Sequence, residues 1–452
     1  MDFISVVRGL IGIAVILGIS WLLSNNKRSI NWKMVGGGLT LQLVLAILIL
    51  KGTELGNFFA PLGWVKLAFT FISSFFVAVL QFTSEGAQFI FGDLAKSPGV
   101  DGSLGFFFAF QVLPTIIFFA SLTAILYHLG IMQKVVQGMA WVMAKVLGTS
   151  GAESLSCTAN IFVGQTEAPL LIKPYIDKMT KSELYTVMVG GMATIAGGVM
   201  AAYIQILGKA YSETHGVPLQ EGQLLFATQL LGASVMAAPA ALIISKIIFP
   251  EKEEPVTKGE VKVNVEKTNS NVVEAAASGA TDGLWLSLNV GGMLIAFIAL
   301  IYMFNSLLYN LGDFTGLNSY LQETYKQPLN FQLILGYILQ PLAFAIGVPW
   351  DQALNFGSLL GTKIVLNEFV AFIDLGNMVE NGIMDQPKVI FMASYALCGF
   401  ANFSSIAIQL GGIGGMAPDR KSDLAQLGLK AVIGGSLATL LTAAWAGLFF
   451  AV

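Results

Sequence analysis

Eight runs of roughly twenty residues are made almost entirely of apolar side chains. They are Ile4–Leu23, Met34–Leu50, Phe106–Tyr127, Leu184–Leu207, Leu224–Phe249, Leu284–Leu311, Val389–Leu410 and Leu424–Val452. A helix of about 20 apolar residues matches the thickness of a bilayer's hydrocarbon core. The rest of the chain cannot offset that surface in water. Only 11% of residues are charged, against about 25% in soluble proteins, and the mean hydropathy is +0.73. This balance excludes a cytosolic enzyme, a nucleic-acid binder and a disordered scaffold. The net charge of −3 supplies no polycation for nucleic acid. Cys157 and Cys398 fall inside apolar segments and read as buried thiols. His128 and His215 are the only histidines, so no Cys/His metal spacing exists. The first run has no basic flank or cleavage signature and reads as a retained span, not a signal peptide.

Three other apolar stretches fall outside that count. Leu62–Phe91 contains Lys66, Ser84, Glu85 and Gln88 and is expected to lie along the interface. Gly151–Tyr175 and Asp351–Leu375 carry polar residues at their middles and read as re-entrant hairpins. Such backbone survives at membrane depth only under cover of protein or a wet cavity. The basic residues Lys27, Arg28 and Lys33, Lys252 to Lys267, and Arg420, Lys421 and Lys430 then share the cytoplasmic side, with both termini outside. Glu251–Gly279 reads as a mixed-charge cytoplasmic linker.

The chain also resembles itself. Leu126-Tyr-His-Leu-Gly130 closes the third span and Leu308-Tyr-Asn-Leu-Gly312 the sixth. Glu167 and Glu368 sit near the centres of the two hairpins, offset by 201 residues (368 minus 167). Gln205 and Gln409 end the following spans, offset by 204 (409 minus 205). Each unit contains three crossings, so the second must be inverted relative to the first. Inverted repeats with matching polar interruptions are the signature of secondary transporters, whose site lies between the repeats near the midplane. The expected units are 1–104 (N-terminal scaffold helices and the interfacial segment), 105–250 (first repeat), 251–283 (linker) and 284–452 (second repeat). The fold class is an all-α integral membrane protein with eight transmembrane helices, two re-entrant helical hairpins and broken helices.

The polar groups inside these elements define the candidate site. Span four contains Thr194 beside Gly197 and Gly198; span seven contains Asn402, Ser404 and Ser405. Small-residue helix packing would explain the glycines alone, but not their match in both repeats beside two carboxylates. The first hairpin tip runs Asn160-Ile-Phe-Val-Gly-Gln-Thr-Glu-Ala-Pro169, and the second carries Lys363, Asn367 and Glu368. An ionisable residue at membrane depth is functional by default. An ion pair between Glu368 and Lys363, five residues apart, is the structural alternative. Amides, hydroxyls and carboxylates with one nearby cation favour a neutral, hydroxyl-rich solute over an anion.

These residues carry a resemblance to the concentrative nucleoside transporters. Gly361, Lys363, Asn367, Glu368, Phe369, Val370, Ala371 and Phe372 match that family's Gly-X-Lys-X3-Asn-Glu-Phe-Val-Ala-aromatic signature. Its last position is often Tyr, so Phe372 lacks a hydroxyl there. Gly164–Pro169 matches the family's Gly-Gln-Thr/Ser-Glu-Ala-Pro element. The resemblance runs from the first span to the last and fits a bacterial member in the inner membrane.

The resemblance implies a nucleoside importer driven by the sodium gradient, with no cofactor and no enzymatic step. It assigns Gln165, Thr166 and Glu167 to the nucleobase. Glu368, Asn402 and Ser405 go to the ribose, and Val199 and Phe400 to the pocket wall. Sodium is expected on the side chains of Asn160 and Thr194 and the carbonyls of Val163 and Ile195. Thr194 stands where several relatives have Ser. The family also implies a homotrimer whose scaffold is formed largely by the early spans and span six, an elevator movement, and uridine among the substrates. Proton coupling through a carboxylate stays open, and a channel is the more distant alternative. A membrane-embedded enzyme would need a nucleophile, base or metal that the hairpins do not provide.

Overall fold

The computed structural model describes residues 3–96, 101–259, 269–325 and 327–450. Among the described residues every regular element is helical, and the single β-type pairing is an isolated bridge between Ser150 and Lys258. The all-α class therefore stands. Helices α1 (Phe3–Leu22) and α2 (Trp32–Leu50) take the first two apolar runs. Asn31 caps α2 by accepting the Met34 N–H at 3.1 Å.

A short α3 (Gly52–Phe58) folds back on α4 (Ala60–Phe91) through a glycine contact: a Cβ on Gly56 would lie 3.0 Å from the Gly63 Cα. Lys66, Ser84, Glu85 and Gln88 do not interrupt α4. It is one continuous helix of 32 residues, long and apolar enough to cross a bilayer.

After α5 (Phe108–Gln111), α6 (Leu113–His128) forms the third predicted span, and the amphipathic α7 (Ile131–Leu147) follows. Gly130 and Gly148 bracket α7 with φ of +76° and +68°, a left-handed conformation that glycine adopts without a Cβ penalty. Hairpin one begins with α8 (Gly151–Ala159), held at its root by a Ser150/Glu153 capping box. Its returning arm is not a regular helix. Ala168–Ile172 is a 3-10 segment and α9 (Lys173–Ile176) a single turn, because Pro169 and Pro174 remove donors.

Span four is broken into α10 (Lys181–Ala193) and α11 (Gly197–His215), and α12 (Leu219–Ile248) follows. The break lies at Thr194–Ala196, and the paired glycines open α11. Helix α13 (Val272–Phe314) starts inside the expected linker: Asn271 caps it by accepting the Glu274 N–H at 2.9 Å, so residues 272–283 are helical. Residues 260–268 of that linker lie outside the described residues.

The second repeat continues with α14 (Leu317–Tyr325) and α15 (Phe331–Ala345). Hairpin two is α16 (Trp350–Val365) and α17 (Glu368–Glu380), turning at Leu366 and Asn367. Span seven breaks into α18 (Pro387–Leu397) and α19 (Phe403–Met416), and α20 (Lys421–Phe449) ends the fold.

Burial separates these helices into two kinds. The apolar window of α12 is wholly buried, and those of the α10–α11 span and of α20 are 89% buried; the windows of α4, α6 and α13 are only 22% buried. Helices α6 and α13 pack closely through small residues. A Cβ on Gly279 would lie 2.6 Å from that of Ala124, and one on Gly283 would lie 2.7 Å from the Ile117 Cα. Such contacts drive helix association in lipid, where apolar burial gives no net gain.

Helix α1 lies against α20 with Gly9 on Leu448, and α2 joins α12 and α20 through Gln42, which donates to the Met236 carbonyl (3.0 Å) and accepts from the Trp445 indole (3.3 Å). Helix α4 packs on α12 and also reaches α6, where Phe76 stacks on Phe119 with centroids 5.1 Å apart.

One polar cluster ties the ends of the inner helices together. The Lys246 ammonium lies 2.7 Å from Glu153 at the root of hairpin one and 3.3 Å from Glu251, and donates to Ser182 Oγ at 2.9 Å. Thr180 Oγ1 also donates to Glu251 at 2.8 Å. Burial alone would raise the Glu251 carboxyl, but the Lys246 charge and the Thr180 and Glu253 hydrogen bonds together hold it below its ordinary value. A carboxyl depressed in the folded state stabilises above its unfolded pKa, and that contribution is lost as pH falls through the folded value. Glu251→Gln is therefore expected to lower the thermal midpoint in detergent at neutral pH. The gap from the parent should close below about pH 4. A gap independent of pH would show that the charge of Glu251 contributes nothing.

Candidate functional site

The site is built where two hairpin tips meet two helix breaks. Each break leaves a pair of helix ends unsatisfied, and the sequence fills them in opposite ways. Asn367 and Asn402 are the N-caps of α17 and α19. Asn367 Oδ1 accepts the Val370 N–H at 2.9 Å, and Asn402 Oδ1 accepts the Ser405 N–H at 2.9 Å and the Ser404 hydroxyl at 2.7 Å. Glu368 is thus the first residue of α17, where the positive end of the helix dipole favours a carboxylate. Its Oε2 accepts from Asn402 Nδ2 at 3.0 Å and its Oε1 from the Tyr203 hydroxyl at 3.0 Å.

That carboxylate begins a hydrogen-bonded chain through both repeats. Glu368 leads to Asn402, and Asn402 to Ser405. Ser405 Oγ accepts from Gln165 Nε2 at 3.0 Å. Gln409 Nε2 donates to Gln165 Oε1 at 3.0 Å and to the Met188 carbonyl at 3.0 Å. The chain joins hairpin two, span seven, hairpin one and α10. The breaks themselves are also bonded, since the Phe400 N–H donates to the Thr194 carbonyl at 3.3 Å. The approach requires Gly399, where a Cβ would stand 2.8 Å from the Met192 carbonyl oxygen. Hairpin one is tied in by the Gly197 N–H, which donates to the Phe162 carbonyl at 3.1 Å.

The predicted solute residues fall around this chain. Gln165, Glu368, Asn402 and Ser405 are buried within it. Val199 is buried in the first turn of α11, and Phe400 is half-buried at the break of span seven. Thr166 lies against Gly412 of α19. Glu167 is exposed, and its carboxylate turns back to accept the Gly164 N–H.

Two participants are absent from the sequence-derived set. Gln409 serves in the sequence only as a marker of the repeat. Tyr203 stacks on Phe372 with centroids 4.1 Å apart, and so brings a hydroxyl to Glu368 from the ring facing the phenylalanine. Its place two residues before Gln205, in a span otherwise rich in Gly, Ala and Ile, is the only sequence signal for it.

The predicted ion ligands gather on the other side of the same break. Asn160 is the C-cap of α8 and Thr194 the C-cap of α10, so two negative helix ends converge. Asn160 Nδ2 donates to the Ser156 carbonyl at 2.9 Å, while its Oδ1, although buried, has no hydrogen-bond partner. Thr194 Oγ1 donates to the Gly190 carbonyl at 2.9 Å, leaving its lone pairs to accept. Val163 and Ile195 are buried nearby in chain. An orphaned amide oxygen beside two helix C-termini suits a hard, oxygen-preferring cation. Among the described residues no cluster of His, Cys, Asp and Glu offers a transition-metal site.

Hairpin tips and helix breaks from two repeats, meeting inside a many-helix apolar body around a buried chain of polar side chains, define a membrane transporter. Comparison with known proteins gives the family. Residues 11–94 match the model of the Na+ dependent nucleoside transporter N-terminus, 109–210 the nucleoside recognition "Gate" model, and 229–447 the Na+ dependent nucleoside transporter C-terminus.

The chain is 40% identical to the nucleoside permease NupC of Helicobacter pylori, covering 97% of this chain and 96% of that one. It is 43% identical to an uncharacterized transporter of Haemophilus influenzae over 98% of both. It is 39% identical to human sodium/nucleoside cotransporter 1, covering 97% of this chain but 63% of that longer protein. Among solved structures it matches CNTnw in an inward-facing, substrate-bound state, with a TM-score of 0.83, 40% identity, and 98% and 99% of the two chains covered. The chain belongs to the Na+-dependent nucleoside transporter family. It is a multi-span nucleoside cotransporter and not an enzyme.

Proposed function

We propose that the protein carries nucleosides such as uridine into the cell in symport with sodium. The observation that carries this reading is the single hydrogen-bonded chain from Glu368 to Gln165 across both repeats. Its carboxylate and Asn402 suit the hydroxyls of a ribose. The Gln165 amide, with donor and acceptor side by side, suits the edge of a base, and Thr166 and Glu167 complete that end. Phe400 and Val199 form the apolar wall. A bound nucleoside would exchange the Gln165–Ser405 bond for bonds of its own and so link hairpin one to hairpin two.

Sodium would sit on Asn160, Thr194 and the carbonyls of Val163 and Ile195. The orphaned Asn160 oxygen supports that placement. The ion would fix hairpin one against the break of span four, and thereby order Gln165–Glu167 for the base. Each ligand then strengthens binding of the other by the same factor.

Eight crossings fit the packing. The Asn25 N–H donates to the Ile248 carbonyl at 2.9 Å, so the ends of α1 and α12 share one face. Four crossings between them (α2, α6, α10–α11 and α12) satisfy this, and a side-changing α4 does not. Helix α4 would then lie obliquely, without a net crossing. The sparsely buried α6 and α13 suit a scaffold that contacts other copies in a homotrimer. The densely buried body carrying both hairpins suits the part that moves as an elevator.

The test is uptake of radiolabelled uridine into proteoliposomes at fixed pH, with and without an inward sodium gradient. Accumulation that requires sodium is the expected result. Accumulation driven by an inward proton gradient instead would overturn the ion assignment, and no uptake by folded protein under either gradient would overturn the solute assignment.

A further inference from the structure

Lys363 is one of the largest fully buried side chains in the protein, 1% exposed, and no step above uses it. Its ammonium donates to the Ala396 carbonyl at 2.8 Å and to Thr439 Oγ1 at 3.0 Å. Its place in the repeat is informative. Lys363 follows Asn160 by 203 residues (363 minus 160), and Ala396 follows Thr194 by 202 (396 minus 194). Both values lie between the offsets of 201 and 204 set by the paired glutamates and glutamines.

The surroundings correspond as well. Asn160 ends the first arm of hairpin one, facing the C-terminus of the first half of span four. Lys363 lies in the last turn of the first arm of hairpin two, bonded into the last turn of the first half of span seven. In each repeat two helix C-termini converge, and a positive charge is favoured between them. Repeat one offers an unpartnered amide oxygen at that place; repeat two offers an ammonium.

We propose that Lys363 is a tethered cation that occupies, in repeat two, the position taken by sodium in repeat one. This rests on the sodium reading of repeat one. The protein accordingly holds one exchangeable cation, and the second hairpin is fixed to span seven by a cationic side chain that cannot dissociate from the chain. Hairpin one is pinned only when the ion is bound, so ion control of the site resides in one repeat. Lys363 is a positioning residue: through α16 and the Leu366–Asn367 turn it holds Glu368 against Asn402.

Two substitutions test the assignment in purified protein and proteoliposomes. Lys363→Met keeps the length and removes the charge. It is expected to cut uridine uptake at least tenfold and to lower the thermal midpoint equally in sodium and in choline. Lys363→Asn gives repeat two the amide that repeat one has. It is expected to acquire an additional, weaker sodium-dependent rise in thermal midpoint, absent from Lys363→Met. Where it transports, the Hill coefficient for sodium should move from about one towards two.

A Lys363→Met protein with parental uptake and stability would overturn the proposal. So would a Lys363→Asn protein whose sodium titration shows the parental response alone. A parent protein without any sodium response would instead sink the sodium reading of repeat one. The Lys363→Met comparison in choline needs no sodium and keeps the two failures apart.

Discussion

Glu368→Gln is expected to reduce uridine uptake by roughly 100-fold or more, while the protein still elutes as a folded species. The carboxylate is the one group in the site that accepts from two elements at once, Asn402 of α19 and Tyr203 of α11. An amide keeps the shape but turns one acceptor into a donor. Facing Asn402 that donor meets another donor, and facing Tyr203 or the solute it forces a hydroxyl to turn round and accept; in every case the charge assistance is lost. Removing one partner of a buried, charge-assisted contact costs about 2–5 kcal/mol, and 2.7 kcal/mol is already about 100-fold. The deficit should appear for ribonucleosides and be smaller for a 2′,3′-dideoxynucleoside, which has lost the hydroxyls concerned. Equal transport of uridine by variant and parent would remove Glu368 from the solute site.

Asn160→Ala should raise the sodium concentration for half-maximal uptake by roughly 10–100-fold, the scale seen when a group that supports metal binding is lost. The response of uptake to pH should stay as in the parent. The reasoning is local: Oδ1 is a buried amide oxygen left without a donor at the end of α8, and truncation removes it. Because ion and nucleoside stabilise the same arrangement of hairpin one, the apparent affinity for uridine should fall at low sodium and recover at saturating sodium. Sodium titrations of uptake at two uridine concentrations measure both effects. An unchanged sodium curve would place the ion elsewhere.

What could be read from the sequence was whatever has a local chemical signature. The apolar runs, the hairpin tips with Gly164, Pro169 and Asn367, and the carboxylates Glu167 and Glu368 all announce themselves within a few residues. Other features depend on contacts the chain makes far away. That Gln165 pairs with Ser405 and Gln409 is invisible locally, because the partners lie 240 and 244 residues apart. Tyr203 reads as an ordinary lining residue until its hydroxyl is seen against Glu368.

Polarity also misleads in two places. Lys66, Ser84, Glu85 and Gln88 set Leu62–Phe91 apart from the spans, yet α4 is continuous, since isolated Lys, Glu and Gln are good helix formers. The start of α13 was assigned to the linker on charge, although Ala275, Ala276 and Ala277 and the Asn271 cap favour a helix there. The returning arm of hairpin one fails the other way: Pro169 suits a helix start, yet with Pro174 it yields a 3-10 segment and a single turn.

The interleaving of the two repeats has a consequence for how the protein is made. Buried polar groups of the first half, Gln165 and the Thr194 carbonyl among them, find their partners only in α19 and the residues before it. During synthesis on the ribosome those segments emerge about 200 residues apart, at roughly 5–20 residues per second. For the tens of seconds between, hairpin one and the break of span four must wait beside lipid or water with these particular groups unmatched. A chain released after α13 should therefore be degraded or retained by insertion chaperones, even though every one of its own crossings has already been inserted. Pulse-labelling of nascent chains truncated before and after α19 would register the step at which the first half becomes resistant to protease.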